Sequence, residues 1–167
     1  ILKAVNDVND RQKRVLFEKL KSHFGGELTG RIVAIWGLAF KPNTDDIREA
    51  PALVLIESLL QAGAICQVYD PVAMENVRAV FGDRIIYVDH HYEALEEADA
   101  LAILAEWAEF RNPDLNCLAQ KMKHKVIFDG RNLLDCEQMR AAGFVYAGIG
   151  LNPLAATNPQ PEDQVEV

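Results

Sequence analysis

Alternating strand-like and helix-like segments predict an α/β protein, a Rossmann-like doubly wound parallel sheet of about six strands preceded by a long N-terminal helix. Two observations carry this expectation. Six short apolar runs occur in order, most of them separated by amphipathic stretches, and strands joined through helices pair in parallel. The chain also has 167 residues, 50% of them hydrophobic and 25% charged, enough to bury one full core without disulfides or structural metal.

The opening segment, residues 1–24, contains no Gly or Pro, and Val5, Val8, Gln12, Leu16 and Leu20 recur at three- or four-residue spacing before Gly25 and Gly26. That is one face of a helix with its stop signal. The strand-like runs are Arg31–Gly37, Ala64–Tyr69, Ile85–Val88, Ala100–Leu104, Val126–Phe128 and Phe144–Tyr146. Between the first two, Pro51–Ala62 places Leu53, Ile56, Leu59 and Leu60 on one side and stops at Gly63. Asp70–Pro71 reads as a helix N-cap followed by a first-turn proline. The final stretch, Asn152–Val167, is Pro-rich, acidic and aperiodic, and is expected to be a disordered tail.

Seventeen Lys and Arg stand against 25 Asp and Glu, a formal net charge of -8. Such a chain can hardly assemble the basic face that duplex nucleic acid or an anionic membrane requires, so neither is expected as a partner. Cys66, Cys117 and Cys136 are odd in number, with no CxxC and no His at ligand spacing. A reducing compartment fits, and a metal site is not expected. With no apolar run long enough to span a bilayer and no signal sequence, the expected location is cytoplasmic. Because the chain starts at Ile1, inside a helical pattern, it reads as a piece of something longer.

Doubly wound sheets take ligands outside the carboxyl ends of their strands. After the first strand the chain runs from Leu38 to Ala50 before the next helix, far beyond the roughly 2 to 6 residues usual for such a connection. This segment brings Lys41 and Arg48; the fifth strand brings Gly130 and Arg131, and the fourth leads to Arg111. One reading is a site for a phosphorylated ligand, because Arg offers a planar donor fork, Lys a mobile charge and Gly close backbone approach. The other pairs Arg48 with Asp45, Asp46 or Glu49 and leaves Lys41 solvated. Both stand for Lys41 and Arg131, whereas Arg111 reads as an ordinary surface cation. Asp70 occupies the place of a ribose-binding acid, but Pro71 after it favours helix capping. The turn Gly37-Leu38-Ala39-Phe40 lacks GxGxxG, which disfavours a standalone dinucleotide domain. His90 and His91, beside Asp89, are expected at the surface, Cys136 as an inert thiol, and Trp36, Trp107, Phe110 and Phe128 in the core.

The fifteen positions from Gly37 to Pro51 resemble the signature of the UDP-glucose/GDP-mannose dehydrogenase family, particularly its bacterial UDP-glucose-oxidising branch. Asn9-Asp10-Arg11-Gln12, Tyr69-Asp70-Pro71, Glu106-Trp107-Ala108-Glu109-Phe110 and Asp129-Gly130-Arg131-Asn132 agree in order. The resemblance covers about residues 1–150 and implies three parts. Residues 1–24 are the end of a central dimer-building helix, 25–150 a UDP-binding Rossmann-like domain and 151–167 the tail. It implies oxidation of the C6 alcohol of UDP-glucose to a carboxylate by two hydride transfers to NAD. The reaction passes through a thiohemiacetal on a cysteine that lies upstream of Ile1. No residue of this chain inherits a catalytic role. Phe40, Lys41 and Arg131 match substrate-binding positions, with Lys41 near the phosphates, and Arg48 matches one that reaches NAD held by the other domain. Asp45 and Asp46 would hold Arg48. The implied assembly is a homodimer, and the chain alone is expected to be inactive. Thr44-Asp45-Asp46 with Asp129-Gly130-Arg131-Asn132 favours UDP-glucose. A sibling acting on UDP-N-acetylmannosamine or GDP-mannose, and a non-catalytic nucleotide-binding or dimerisation module, are the alternatives.

Overall fold

A computed structural model describes the backbone of residues 2–150 and the side chains from residue 11 onward. The expected tail, and the side chains of Val5 and Val8, lie outside the described residues. Helix α1 spans Leu2–His23 and is followed by β1 Ile32–Trp36, α2 Pro51–Gln61, β2 Ile65–Tyr69, α3 Met74–Phe81 and β3 Ile86–Tyr87. Then come β4 Ala100–Ile103, α4 Leu115–Lys121, β5 Val126–Asp129, α5 Cys136–Ala141 and β6 Val145–Gly148. The six strands form one sheet in the order β3-β2-β1-β4-β5-β6, and every neighbouring pair is parallel. This is the expected doubly wound sheet, with all six strand-like runs in place.

Side-chain alternation along the strands divides the interior into two layers. Val33 and Ile35 of β1 face one layer with Leu16 and Leu20 of α1, Leu55 and Leu59 of α2 and Val77 of α3. Ala34 and Trp36 face the other with Phe110, Leu118 of α4 and Met139 of α5. Trp36, Trp107, Phe110 and Phe128 are all buried, as expected. Asp114 caps α4 by accepting from the backbone of Asn116 and Cys117, and Asp135 caps α5 through Gln138 N.

Asp70 behaves differently from its expected role. Helix α3 starts later, at Met74, with Ala73 at its N-cap position and no side-chain cap there. The Asp70 carboxylate instead forms a turn, its Oδ1 accepting from Val72 N and Ala73 N at 2.9 Å each. Its Oδ2 crosses to the β1 loop and accepts from Leu38 N at 2.8 Å and Ala39 N at 3.1 Å. The strand register explains this: Trp36 lies opposite Tyr69, so the loops after both strands leave side by side.

Candidate functional site

Strand order reverses between β1 and β4, which continue to β2 and β5 on opposite sides. At the carboxyl end of this switch point lies a cavity of about 540 Å³. Gln12, Lys13 and Leu16 of α1 form one wall, and Phe40, Glu49, Pro51 and Leu55 come from the β1–α2 connection and α2. Leu104 after β4, Gly130 and Arg131 after β5, and Ile149 after β6 complete it. The lining is mostly apolar with a few convergent charges, the usual character of a small-molecule site.

The long connection after β1 is ordered by its own polar groups. Gly37 opens it at φ +91, where an added Cβ would stand 2.7 Å from Ala105 N, so glycine is required. Phe40 N donates to Asp46 O at 2.8 Å, closing a loop within the loop, and Asn76 of α3 donates to Asp45 O at 2.8 Å. Glu49 sits at φ +59 and pairs with Lys13 of α1, so helix and loop are stapled at the cavity rim. A second tie from α1 runs from Lys19 Nζ to Gly148 O at 2.6 Å.

A buried aspartate builds the opposite wall. Asp129 Oδ1 accepts from Arg131 N at 3.0 Å, while Oδ2 accepts from Leu133 N, Leu134 N and Tyr146 OH at 2.8 to 2.9 Å. Asn132, at φ +50, exchanges side-chain hydrogen bonds with Ile149 N and O and so joins the ends of β5 and β6. An added Cβ on Gly130 would stand 3.1 Å from Ile103 O and 3.2 Å from a Leu104 methyl, tighter than ordinary contact, so this loop leaves close against the sheet.

The sequence-derived candidates are thus divided. Phe40, 45% exposed, and Arg131 line the same cavity. Lys41 follows Phe40 as an exposed residue outside that lining. Arg48 points at Asp46: its Nε and one terminal nitrogen meet the two carboxylate oxygens at 2.9 Å each, with its side chain 87% exposed. This clamp holds the Asp46 carboxyl down at about 2. Arg111 is exposed and approaches Glu106 at 3.9 Å. Lys13 and Glu49 were not legible as site residues, because their meeting depends on where α1 docks. Gln12 had a signal in the Asn9–Gln12 motif.

Burial also overturns the surface placement of His91. His90 is exposed, but His91 is only 5% exposed, edge-on to Trp36 with ring centroids 4.9 Å apart and packed against Tyr92 and Phe110. Its Nδ1 lies 3.2 Å from Glu109 Oε2 without hydrogen-bond geometry. Desolvation, and then the neighbouring His90, push its pKa down to about 4, so the ring is neutral. Burial likewise pushes the Cys66 thiol up to about 12.

The turn after β1 does not fit a dinucleotide. Leu38 N and Ala39 N, which would cradle a pyrophosphate, are taken by Asp70. Asp70 itself is 1% exposed, and its Oδ2 also accepts from Trp107 Nε1 at 3.3 Å, so it offers nothing to a ribose.

Fold and cavity together define a class: a doubly wound α/β domain with a cavity at the switch point and a β1 turn whose backbone donors are already taken. The sequence matches the family model described as "UDP-glucose/GDP-mannose dehydrogenase family, UDP binding domain" over residues 34–136, and the chain belongs to that family. It is 47% identical to the UDP-glucose 6-dehydrogenase of Pseudomonas aeruginosa over 155 residues, covering 90% of this chain and 34% of that protein. It is 40% identical to the UDP-glucose 6-dehydrogenase TuaD of Bacillus subtilis, covering 95% of this chain and 34% of that one. Among solved structures, a UDP-glucose dehydrogenase from Pyrobaculum islandicum superposes with a TM-score of 0.74 at 37% identity, over 88% of this chain and 31% of that one. A UDP-D-ManNAc dehydrogenase from Pyrococcus horikoshii superposes with a TM-score of 0.66 at 28% identity, over 87% of this chain and 31% of that one. The chain therefore spans about a third of the length of the relatives it matches. No helix among the described residues is long and apolar enough to cross a membrane.

Proposed function

We propose that this chain binds the UDP part of UDP-glucose within an NAD-dependent UDP-glucose 6-dehydrogenase. The observation that carries this reading is the switch-point cavity, which joins an aromatic side chain, Phe40, to a half-buried guanidinium, Arg131, held on a rigid loop. A nucleotide needs both an apolar surface and charge-assisted donors. Lys41, next to Phe40 and exposed, is the mobile charge for the diphosphate. Since the β1 turn is closed to a dinucleotide, NAD belongs to a part of the enzyme outside this chain, as does the nucleophilic cysteine. Arg48 is this chain's residue for reaching NAD, with Asp46 holding its fork until then. Residues 1–24 are the end of a dimer-building helix and 25–150 the UDP-binding unit. The enzyme is a cytoplasmic homodimer, and this chain alone produces no NADH. The higher identity to UDP-glucose dehydrogenases than to the UDP-D-ManNAc dehydrogenase favours UDP-glucose over a sibling sugar.

Titration calorimetry with UDP tests the reading. Saturable binding is expected for the parent chain. Lys41→Ala and Arg131→Ala should each weaken it roughly tenfold or more, the loss of about 1.5 to 3 kcal/mol from one charge-assisted contact. Equal UDP affinity in all three proteins, or NAD binding in place of UDP binding, would overturn it.

A further inference from the structure

Arg131 is fixed at its backbone but not at its guanidinium. Asp129 accepts from its N–H, whereas its side-chain Nε is buried without any hydrogen-bond acceptor. The carboxylate facing that Nε belongs to Glu106, in the segment after β4, with Oε1 at 3.6 Å. The other oxygen of the same carboxylate, Oε2, stands 3.9 Å from a terminal nitrogen of Arg111. Both distances exceed the roughly 2.7 to 2.9 Å of a charge-assisted hydrogen bond. The Arg48–Asp46 pair shows the alternative, two bonds of 2.9 Å that occupy the donor fork. One half-exposed carboxylate thus attracts two guanidiniums and saturates neither.

We infer that Glu106 is a shared counter-ion, a positioning residue that divides its charge between Arg131 and Arg111 and so sets how strongly Arg131 grips an anion. The inference rests on the UDP-binding reading and adds a selectivity device to it. Coulomb attraction scales with charge and inversely with distance. An anionic oxygen at hydrogen-bonding distance outcompetes a single carboxylate charge at 3.6 Å, and a diphosphate, which carries more negative charge than a monophosphate, gains more. Arg111 lies outside the cavity lining yet raises affinity for polyanions by drawing Glu106 away from Arg131. The two substitutions therefore act with opposite signs, and the effect of one depends on the other.

The test is a double-mutant cycle in this chain, read by calorimetric titration with UDP and with UMP. Glu106→Gln should tighten UDP binding about two- to fivefold, the range of one exposed ion pair, and should tighten UMP less. Arg111→Gln should weaken UDP binding to a similar extent, and this effect should vanish in the Glu106→Gln background. Weaker UDP binding in Glu106→Gln, or an Arg111→Gln effect of the same size in both backgrounds, would overturn the inference. Nitrogen-detected NMR of Arg131 Nε in the ligand-free chain examines the pair without UDP. Glu106→Gln should shift that resonance and Arg111→Gln should shift it in the opposite direction; an unmoved resonance overturns the shared counter-ion. A parent chain that binds no UDP while these shifts occur would instead remove the UDP reading and leave the ion triad.

Discussion

Asp70 follows β2 directly and Asp129 is the last residue of β5, each fully buried, each with both carboxylate oxygens filled by N–H or O–H donors. The donors differ in origin. Those of Asp129 come from the loop directly after it and from Tyr146 of neighbouring β6. Those of Asp70 come from the turn after it, from the β1 loop and from Trp107 beyond β4, so three chain segments meet on one carboxylate. Asp129 therefore shapes one short loop that presents Arg131. Asp70 pins the root of a long loop whose far end, from Phe40 to Glu49, must find its own order. One side of the cavity is thus a short loop held at its root and the other an internally braced loop, and the cations differ accordingly: Arg131 lines the cavity from the first, while Lys41 and Arg48 lie on the second outside the lining.

Removing the Asp70 carboxylate should be the most damaging change. Asp70→Ala leaves five donors buried or half-buried without acceptors and is expected to destabilise the chain by about 4 kcal/mol in urea unfolding. A loss under about 1 kcal/mol would show that the three-segment clamp is not what holds this edge.

Acid should act on the same side through His91. Its folded pKa, about 4, lies below the ordinary 6.5, so the unfolded chain binds the proton more readily between those values. Stability is then fully present above pH 6.5 and falls as pH drops toward 4, by about 3 kcal/mol from this group. His91→Phe should flatten that part of the pH–stability curve; an unchanged curve would assign the acid lability elsewhere. The Asp129 side differs in kind. Its buried titratable partner, Tyr146, has a phenol pKa raised by desolvation and then by Asp129, and so stays neutral. Tyr146→Phe removes one of four donors to Asp129 and should cost about 1 kcal/mol in urea unfolding, with the Arg131 N–H still held. Smallest of all, Asp46→Asn weakens an exposed clamp and should leave the urea midpoint unchanged while loosening Arg48, visible as faster side-chain motion by NMR.

Local patterns in the chain were enough for the fold. Alternating apolar runs, the helix stop at Gly25–Gly26 and the Pro51 helix start all fall where the structure has them, because periodicity and backbone restriction act over a few residues. The motif around Gly37 and that around Asp129 likewise located the two loops that line the cavity. Less legible were the partners of polar side chains. Asp70-Pro71 has the local form of a helix cap, and only the parallel register of β1 and β2 turns its carboxylate toward Leu38 and Ala39. His91 has a polar neighbourhood in sequence, and only the packing of Trp36, Tyr92 and Phe110 buries it.

By itself, then, the sequence determined the order of elements, the parallel sheet and the two cavity-lining loops, since each is written in short-range hydrophobic period and turn chemistry. Tertiary structure decided which charges meet: Lys13 with Glu49, Glu106 between Arg131 and Arg111, and Asp70 across three segments. Electrostatic and hydrogen-bond partners are chosen by distances of a few ångströms between residues far apart in the chain, and such distances exist only once the sheet and its helices have packed.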